Sequence, residues 1–346
     1  MPTNVTADYK RAEAAFREAR EPADKLASLK EMLRTIPKHK GTEHLQADIK
    51  SRIKMLSDEL AGPRKGGRRG GPAYVVRAEG AAQIALLGPP NAGKSTLHDK
   101  LCGSHSEQGP YPFTTHHPIP GMMPYEDIYF QLIDLPPITA DYFESWMVNA
   151  LQPADAVMLV ADVTDPDCVD QVQTILARLG EKKVVLSERW PGPVPEAFAI
   201  GNDSVATDAG DDPFTLELPT LLVGNKSDLD PEPAEVRILE ELLGREFPAL
   251  AVSALTGAGL KDIGKLLYPA LEIVRVYTKV PGHAADDDRP FTVRRGQTVA
   301  DVARLVHKDI AAGLRFARVW GSEVFDGQQV GPDHVVTDGD RVELHV

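Results

Sequence analysis

Residues 83–96 read QIALLGPPNAGKST, and inside them Gly88-Pro89-Pro90-Asn91-Ala92-Gly93-Lys94-Ser95-Thr96 carries the spacing GxxxxGKS. An apolar run of strand length precedes the loop, and a helical pattern over 94–102 follows it. That is the context a phosphate-binding loop needs. The glycines let the backbone curl, so that successive N–H groups and the helix N-terminus face a phosphate. Lys94 is then placed to reach the β- and γ-phosphates, and the Ser95 hydroxyl to ligate Mg²⁺.

Further along the chain, partners for this loop occur in a fixed order. Asp134 ends the strand-like run IYFQLID and opens DLPP, where a carboxylate can hold Mg²⁺ through water. Asn225-Lys226-Ser227-Asp228 ends the run TLLVG. Asp228 has the chemistry to accept hydrogen bonds from guanine N1–H and the N2 amino group. Adenine lacks that pair of donors and leaves the carboxylate unsatisfied. Lys226 is expected to pack along the base and tie back to the phosphate loop. Ser253-Ala254-Leu255 completes the purine pocket, through the Ala254 N–H. Between the phosphate loop and DLPP lies Tyr111-Pro112-Phe113-Thr114-Thr115, with Thr115, or Thr114 in reserve, as a metal ligand in the γ-phosphate state. His116 and His117 diverge in extended backbone and read as a solvated loop, not a metal site.

The surrounding pattern is α/β. QIALLG, IYFQLID, DAVMLVAD, KKVVL, TLLVGNK and LAVSA read as strands, with helices over about 94–102, 168–179, 232–244 and 259–276. Such alternation gives a mainly parallel sheet with helices on both faces. Residues 187–218, rich in Pro, Gly and acids, read as an insertion. From about Tyr277 the pattern becomes a strand (PFTV), a helix (TVADVARLVHKDI), FARVWG, two Asp-Gly turns and a last strand RVELHV: a helix over a small mixed sheet. At the front, Tyr9, Ala12 and Phe16, then Leu26, Leu29, Leu33 and Ile36, then Leu45, Ile49, Ile53, Leu56 and Leu60 form apolar helical faces, read as a helical hairpin. The divisions are 1–61 helical, 62–80 basic Gly-rich linker, 81–276 nucleotide domain and 277–346 the small C-terminal domain.

Composition narrows the class. The 346 residues carry a formal charge of −13, yet residues 1–80 hold 17 Lys/Arg against 11 Asp/Glu. A basic arm on an acidic body suits local contact with phosphates, through Lys38, Lys40, Lys50, Arg52, Lys54, Arg64, Lys65, Arg68 and Arg69. Cys102 and Cys168 form neither a disulfide framework nor a zinc site. With no apolar run of about 18 residues and no secretory pattern at the N-terminus, the cytosol is the expected compartment.

Taken together, these residues resemble the Obg-like GTPases, and within them the DRG (developmentally regulated GTP-binding) branch. The matching stretches are IPKHKGTEHLQADIK, GPPNAGKSTLHDKL, YPFTTHHPIPG, QLIDLP, NKSD, IVRVYTKVPG, HKDI, ARVWGS and VGPDHVVTDGDRVELHV, spread over about residues 8–346. The resemblance implies a helix–turn–helix-like N-terminal segment, a TRAFAC-class G domain and a β-grasp TGS domain. It also implies GTP/GDP and Mg²⁺ as ligands, links to ribosomes and translation, and a role for Asn91 in holding K⁺ beside the phosphates. The TGS arginines Arg294, Arg295, Arg304, Arg315 and Arg318 then add to the RNA-facing charge. Three departures stand out. Pro137 replaces the glycine of DLPG, ITADYFESWMVNALQ replaces the glycine-rich stretch after it, and the inserted domain before NKSD shrinks to 187–218. The expectation is a slow GTPase acting on ribosomes or RNA; the alternatives are a non-hydrolysing guanine-nucleotide or alarmone sensor, and an RNA-binding adaptor.

Overall fold

The computed structural model describes residues 6–19, 22–37, 42–60, 76–103, 117–198, 214–229, 235–280, 283 and 289–346. Two compact units result, one of residues 1–73 with 206–215 and one of residues 74–205 with 216–346.

The first unit is built on α1 (Ala7–Glu18), α2 (Pro22–Thr35) and α3 (Glu43–Leu60). Thr6 caps α1 by accepting the Tyr9 N–H at 3.2 Å. Tyr9, Ala12, Leu29, Met32, Ile36 and Ile49 bury together, at the helical spacings of their stripes. The expected hairpin is thus a three-helix arrangement, because α1 supplies its own apolar face to α2. Phe214, assigned by its sequence to an insertion, joins this core: its ring meets Phe16 edge-on at 6.2 Å and lies under the Arg52 guanidinium at 4.4 Å. Arg52 also donates to the Phe214 carbonyl at 3.3 Å, so this arm cation is spent on structure. The linker cations Arg64, Lys65, Arg68 and Arg69, with Lys38 and Lys40, lie outside the described residues.

The second unit opens with β1 (Ala82–Leu87), α4 (Lys94–Cys102), β2 (Ile119–Tyr125), β3 (Ile128–Asp134), α5 (Ser145–Leu151), β4 (Ala156–Asp162) and α6 (Cys168–Gly180). It continues with β5 (Val184–Ser187), β6 (Leu216–Asn225), α7 (Glu235–Leu243), β7 (Ala249–Ala251) and α8 (Leu260–Ala270). The sheet order is β2-β3-β1-β4-β6-β5, with β7 also on β6, and every pairing is parallel except β2 with β3. β1 is central, flanked by β3 and β4, and fully buried. Its loop therefore emerges at the crevice beyond the carboxyl ends of the strands, where open α/β sheets bind ligands. Asp134, Asp162 and Asn225 end β3, β4 and β6 at that same edge.

Several expected boundaries shift. Residues 76–80 are tied to the sheet, not free linker, although 77–80 are exposed: Val76 packs on the core, Gly80 bridges to Phe130 and the Glu79 N–H reaches Gln131 Oε1 at 3.1 Å. Trp190, Val194 and Phe198 of the expected insertion pack on the sheet's core. The helix read over 259–276 stops at Ala270, just past Pro269, and the β-branched run from Ile273 starts a new strand.

That strand, β8 (Ile273–Lys279), belongs to a second sheet with β9 (Phe291–Arg294), β10 (Phe316–Trp320), β11 (Gln328–Val330) and β12 (Asp340–His345). Its order is β11-β10-β12-β8-β9, with only β12 and β8 parallel, so the division at 276/277 cuts through a strand. The single helix expected here is two, α9 (Val299–Val306) and α10 (Lys308–Gly313), separated by extended backbone at His307. Thr298 and Asp301 form a capping box on α9, whose Val299 and Val302 bury against Val276, Val319 and Val342.

Arg275 fastens this second sheet to the first. It reaches Glu126 at 2.6 Å and Asp127 at 3.0 Å in the β2–β3 turn, and grips Asp338 at 2.9 and 3.1 Å. Tyr268 of α8 donates to Asp338 at 2.5 Å, and Tyr277 donates to Asp127. Burial alone raises the Asp127 and Asp338 carboxyls, but hydrogen bonds from Tyr277, Tyr268 and Arg275 bring both below their ordinary value. Depressed carboxyls contribute stability that is complete above the ordinary value of 3.8 and is lost as pH falls through the folded values. Arg275→Ala should lower stability by about 1–3 kcal/mol, the cost of leaving such partners unmet. It should also flatten the acid limb below pH ~4. Calorimetric melting of both proteins from pH 3 to 7 checks this; an unchanged melting temperature contradicts it.

Candidate guanine-nucleotide site

The loop between β1 and α4 holds its shape through specific backbone choices. Gly93 sits at φ 85°, where an added Cβ would collide with the Asn225 side-chain amide. Asn91 adopts φ 61°, a left-handed conformation that asparagine tolerates better than most residues. Pro89 and Ala92 are buried, whereas Pro90, Asn91, Ser95 and Thr96 face solvent. Lys94 is buried and folds back over the loop, donating to the carbonyls of Gly88 at 3.2 Å and Pro89 at 2.9 Å. Burial lowers its ammonium to about 8, and nearby Asp134 opposes the shift.

Asp134 lies next to this lysine. Its Oδ2 accepts the Ser95 hydroxyl at 2.6 Å, and its Oδ1 is buried with no partner. Burial raises the carboxyl, more than Ser95, Lys94 and His98 lower it. A buried carboxylate oxygen awaiting a partner, beside a hydroxyl, is the oxygen donor set that suits Mg²⁺. Thr114 and Thr115, the third expected ligand position, lie outside the described residues.

The DLPP segment is docked, not loose. Pro136 is buried, Pro137 half-buried, and Ile138 is 1% exposed in the core formed with Leu87, Leu135 and Met147. The Ile138 N–H donates to the Gly88 carbonyl at 3.2 Å, so the amide next to Pro137 is already committed to the phosphate loop.

At the base end, Asn225 is the clamp. Its side-chain N–H donates to the Ala92 carbonyl at 2.8 Å, and its Oδ1 accepts the Ala254 N–H at 3.0 Å. The link to the phosphate loop expected of Lys226 is thus made by Asn225. Lys226, at φ 66°, instead pairs with Asp162 Oδ2 at 2.5 Å. Burial raises Asp162, but Lys226 and the Thr164 hydroxyl and N–H bring it below its ordinary value. Sequence reading missed Asp162, although it ends the strand DAVMLVAD as Asp134 ends IYFQLID. Asp228 Oδ1 accepts the hydroxyl of buried Ser253 at 2.5 Å, which aims the carboxylate. The Ala254 N–H, expected to meet the purine, is spent on Asn225, while Leu255 is 73% exposed beside it. Loop, carboxylates and base-reading strand end therefore converge on one crevice.

Of the C-terminal arginines, Arg294 is tied into the fold, while Arg295 and Arg304 stand in exposed pairs that contribute little. Arg294 pairs with Asp155 at 2.9 Å, Arg304 with Asp301 at 2.5 Å, and Arg295 stands 3.7 Å from Glu272. Arg315 and Arg318 have no carboxylate partner among the described residues. Also among the described residues, no helix is long and apolar enough to cross a membrane.

A parallel sheet with a phosphate loop at its switch point and Asn225–Asp228 at the neighbouring strand end defines a P-loop guanine-nucleotide-binding protein. Comparison agrees: residues 83–188 match the 50S ribosome-binding GTPase family and residues 274–346 match the TGS domain. The curated relatives that this chain resembles include GTP-binding proteins of the DRG type. It is 29% identical to an uncharacterized GTP-binding protein of Methanocaldococcus jannaschii, over 93% of this chain and 92% of that one. To developmentally-regulated G-protein 1 of Arabidopsis thaliana it is 29% identical, over 91% and 88%. A solved GTP-binding protein from Pyrococcus horikoshii aligns with 76% of this chain and 99% of its own, at 16% identity and a TM-score of 0.48.

Proposed function

We propose that this chain binds GTP and GDP with Mg²⁺, hydrolyses GTP slowly, and acts on the ribosome or its RNA. The observation that carries the reading is the Lys94–Ser95–Asp134 constellation under the phosphate loop. Ser95 and Asp134 would hold the metal, which when bound neutralises phosphate charge. Lys94 swings from the loop carbonyls to the β- and γ-phosphates, and the loop amides orient them. Slow turnover follows from Ile138: an apolar side chain buried at the place of a water-orienting glutamine cannot position the nucleophile. The match to a family of 50S ribosome-binding GTPases, with exposed Lys50 and Lys54 on α3, supports the ribosomal assignment. Co-sedimentation with ribosomes under a non-hydrolysable GTP analogue, GDP and no nucleotide tests it, with phosphate release compared in KCl and NaCl for the K⁺ role of Asn91. Pelleting should depend on nucleotide and weaken with salt as phosphate contacts are lost; pelleting indifferent to both sinks it.

A second reading, a sensor of the GTP/GDP ratio without meaningful turnover, is favoured by one feature. Pro137 has no N–H to offer a γ-phosphate, and the next amide is bound to Gly88. Pro137→Gly should therefore raise the preference for GTP over GDP by about 10- to 150-fold, one hydrogen bond to a charged group being worth roughly 1.5–3 kcal/mol. Affinities of both nucleotides for both proteins, measured by fluorescence titration, decide it. An unchanged ratio means that no γ-phosphate contact runs through this segment.

A further inference from the structure

On the flank of the nucleotide domain, a cleft of about 460 Å³ lies between α4, the β2–β3 hairpin and α8. Its floor is apolar, formed by Leu101, Met123 and Leu260. Its rim carries Lys100 from the end of α4, and Lys261 and Lys265 from successive turns of α8. Three ammonium groups around one concave apolar surface are unexpected in a chain of net charge −13. Local neutralisation is slight. Lys265 meets Asp262 at 2.8 Å in an exposed pair, which contributes little. The lip carboxylate Glu126 is held by Arg275. Lys100 and Lys261 have no ion-pair partner among the described residues.

We propose that this cleft docks a segment of a partner protein in which one or two apolar side chains are flanked by aspartate or glutamate. The apolar floor calls for a side-chain anchor, and the lysine rim selects acidic neighbours and steers them in. A polyphosphate would leave the floor unfilled. A stacked nucleobase needs an open aromatic face, and the Tyr125 ring is already packed 5.7 Å from Tyr268 and 6.1 Å from Phe130. The cleft is not the nucleotide crevice, but its three walls are continuous with it. α4 begins at Lys94, β3 ends at Asp134, and α8 follows the Ser253–Leu255 loop. A bound segment thus contacts the far end of α4, the turn leading into β3 and the first turns of α8.

The test uses the full chain with GDP. Random twelve-residue peptides displayed on phage are selected on the wild type and counter-selected on Lys100→Glu/Lys261→Glu. The surviving sequences should pair acidic residues with Leu, Met, Phe or Trp. As free labelled peptides they should bind the double variant at least ten-fold more weakly, while GDP affinity stays equal. A Lys265→Glu variant alone should show a smaller loss. Failure to recover any peptide that discriminates the two chains overturns the proposal. So does recovery of discriminating peptides lacking either acids or apolar anchors, or a single-stranded oligouridylate that binds the wild type in a lysine-dependent way where no acidic peptide does. Unequal GDP affinity would show that the variant disturbed the nucleotide site, and Lys100→Gln/Lys261→Gln, which removes the charges without reversing them, then has to reproduce the peptide loss or the proposal falls.

Discussion

Asp228→Asn should lower affinity for GTP by roughly a hundred-fold and raise that for XTP, leaving the protein folded. The carboxylate is positioned by the Ser253 hydroxyl at 2.5 Å, and a carboxylate oxygen can accept more than one hydrogen bond. Guanine brings two donors, N1–H and the N2 amino group. An asparagine amide accepts only one of them and sets its own N–H against the other. The loss of a charge-assisted bond and the new donor–donor clash amount to about 3 kcal/mol or more. Xanthine carries an acceptor at position 2 and matches the amide. Ser253→Ala should produce a smaller loss with no gain for XTP, since it frees the carboxylate without changing its chemistry. Calorimetric titration with GTP, ATP and XTP checks all three proteins, and equal wild-type affinity for ATP and GTP would remove Asp228 from base recognition.

The parts of this site that were legible in sequence are those fixed by short-range geometry. GxxxxGKS sets a loop and a helix start together, and α4 runs over 94–102 as the pattern implies. Asp134 and Asn225 close apolar runs, so their place at a strand end follows from the pleat and the parallel topology. What was not legible depends on long side chains choosing among partners. Lys226 had two acidic strand ends and a phosphate loop within reach in principle, and took Asp162 at the neighbouring strand's end. The parallel register places Asp162 directly beside Asn225, a relation that exists only once β4 and β6 pair. The arginines of the C-terminal domain show the same limit. Their number suggested a charged face, but Arg294 lies against Asp155, 139 positions away in sequence. The β8 boundary was missed for a local reason: the apolar pattern of α8 continues into Ile273, Val274 and Val276, and only Pro269 signals the break.

Lys94→Ala should weaken GTP binding by about 3–5 kcal/mol, or roughly two to four orders of magnitude, because it leaves phosphate charge facing a desolvated loop with no counter-charge. The wild type should also show a pH dependence that the variant lacks. Burial holds the Lys94 ammonium at about 8 in the nucleotide-free protein, while bound phosphates raise it. Below pH 8 the ammonium is present in both states, and affinity is at its full value. Above pH 8 the free protein must take up a proton to bind. Affinity then falls by about ten-fold per pH unit until the raised value of the complex is passed. The nucleotide's own phosphates are fully ionised well below this window, their last pKa being near 6, and any loss from ionisation of guanine N1–H at the alkaline end is common to both proteins, so the difference between the two slopes belongs to Lys94. Titration of a fluorescent GDP analogue between pH 7 and 10 reads it directly. Parallel curves for wild type and Lys94→Ala would mean that the proton taken up is not the one on Lys94, and that the buried lysine does not carry the phosphate contact.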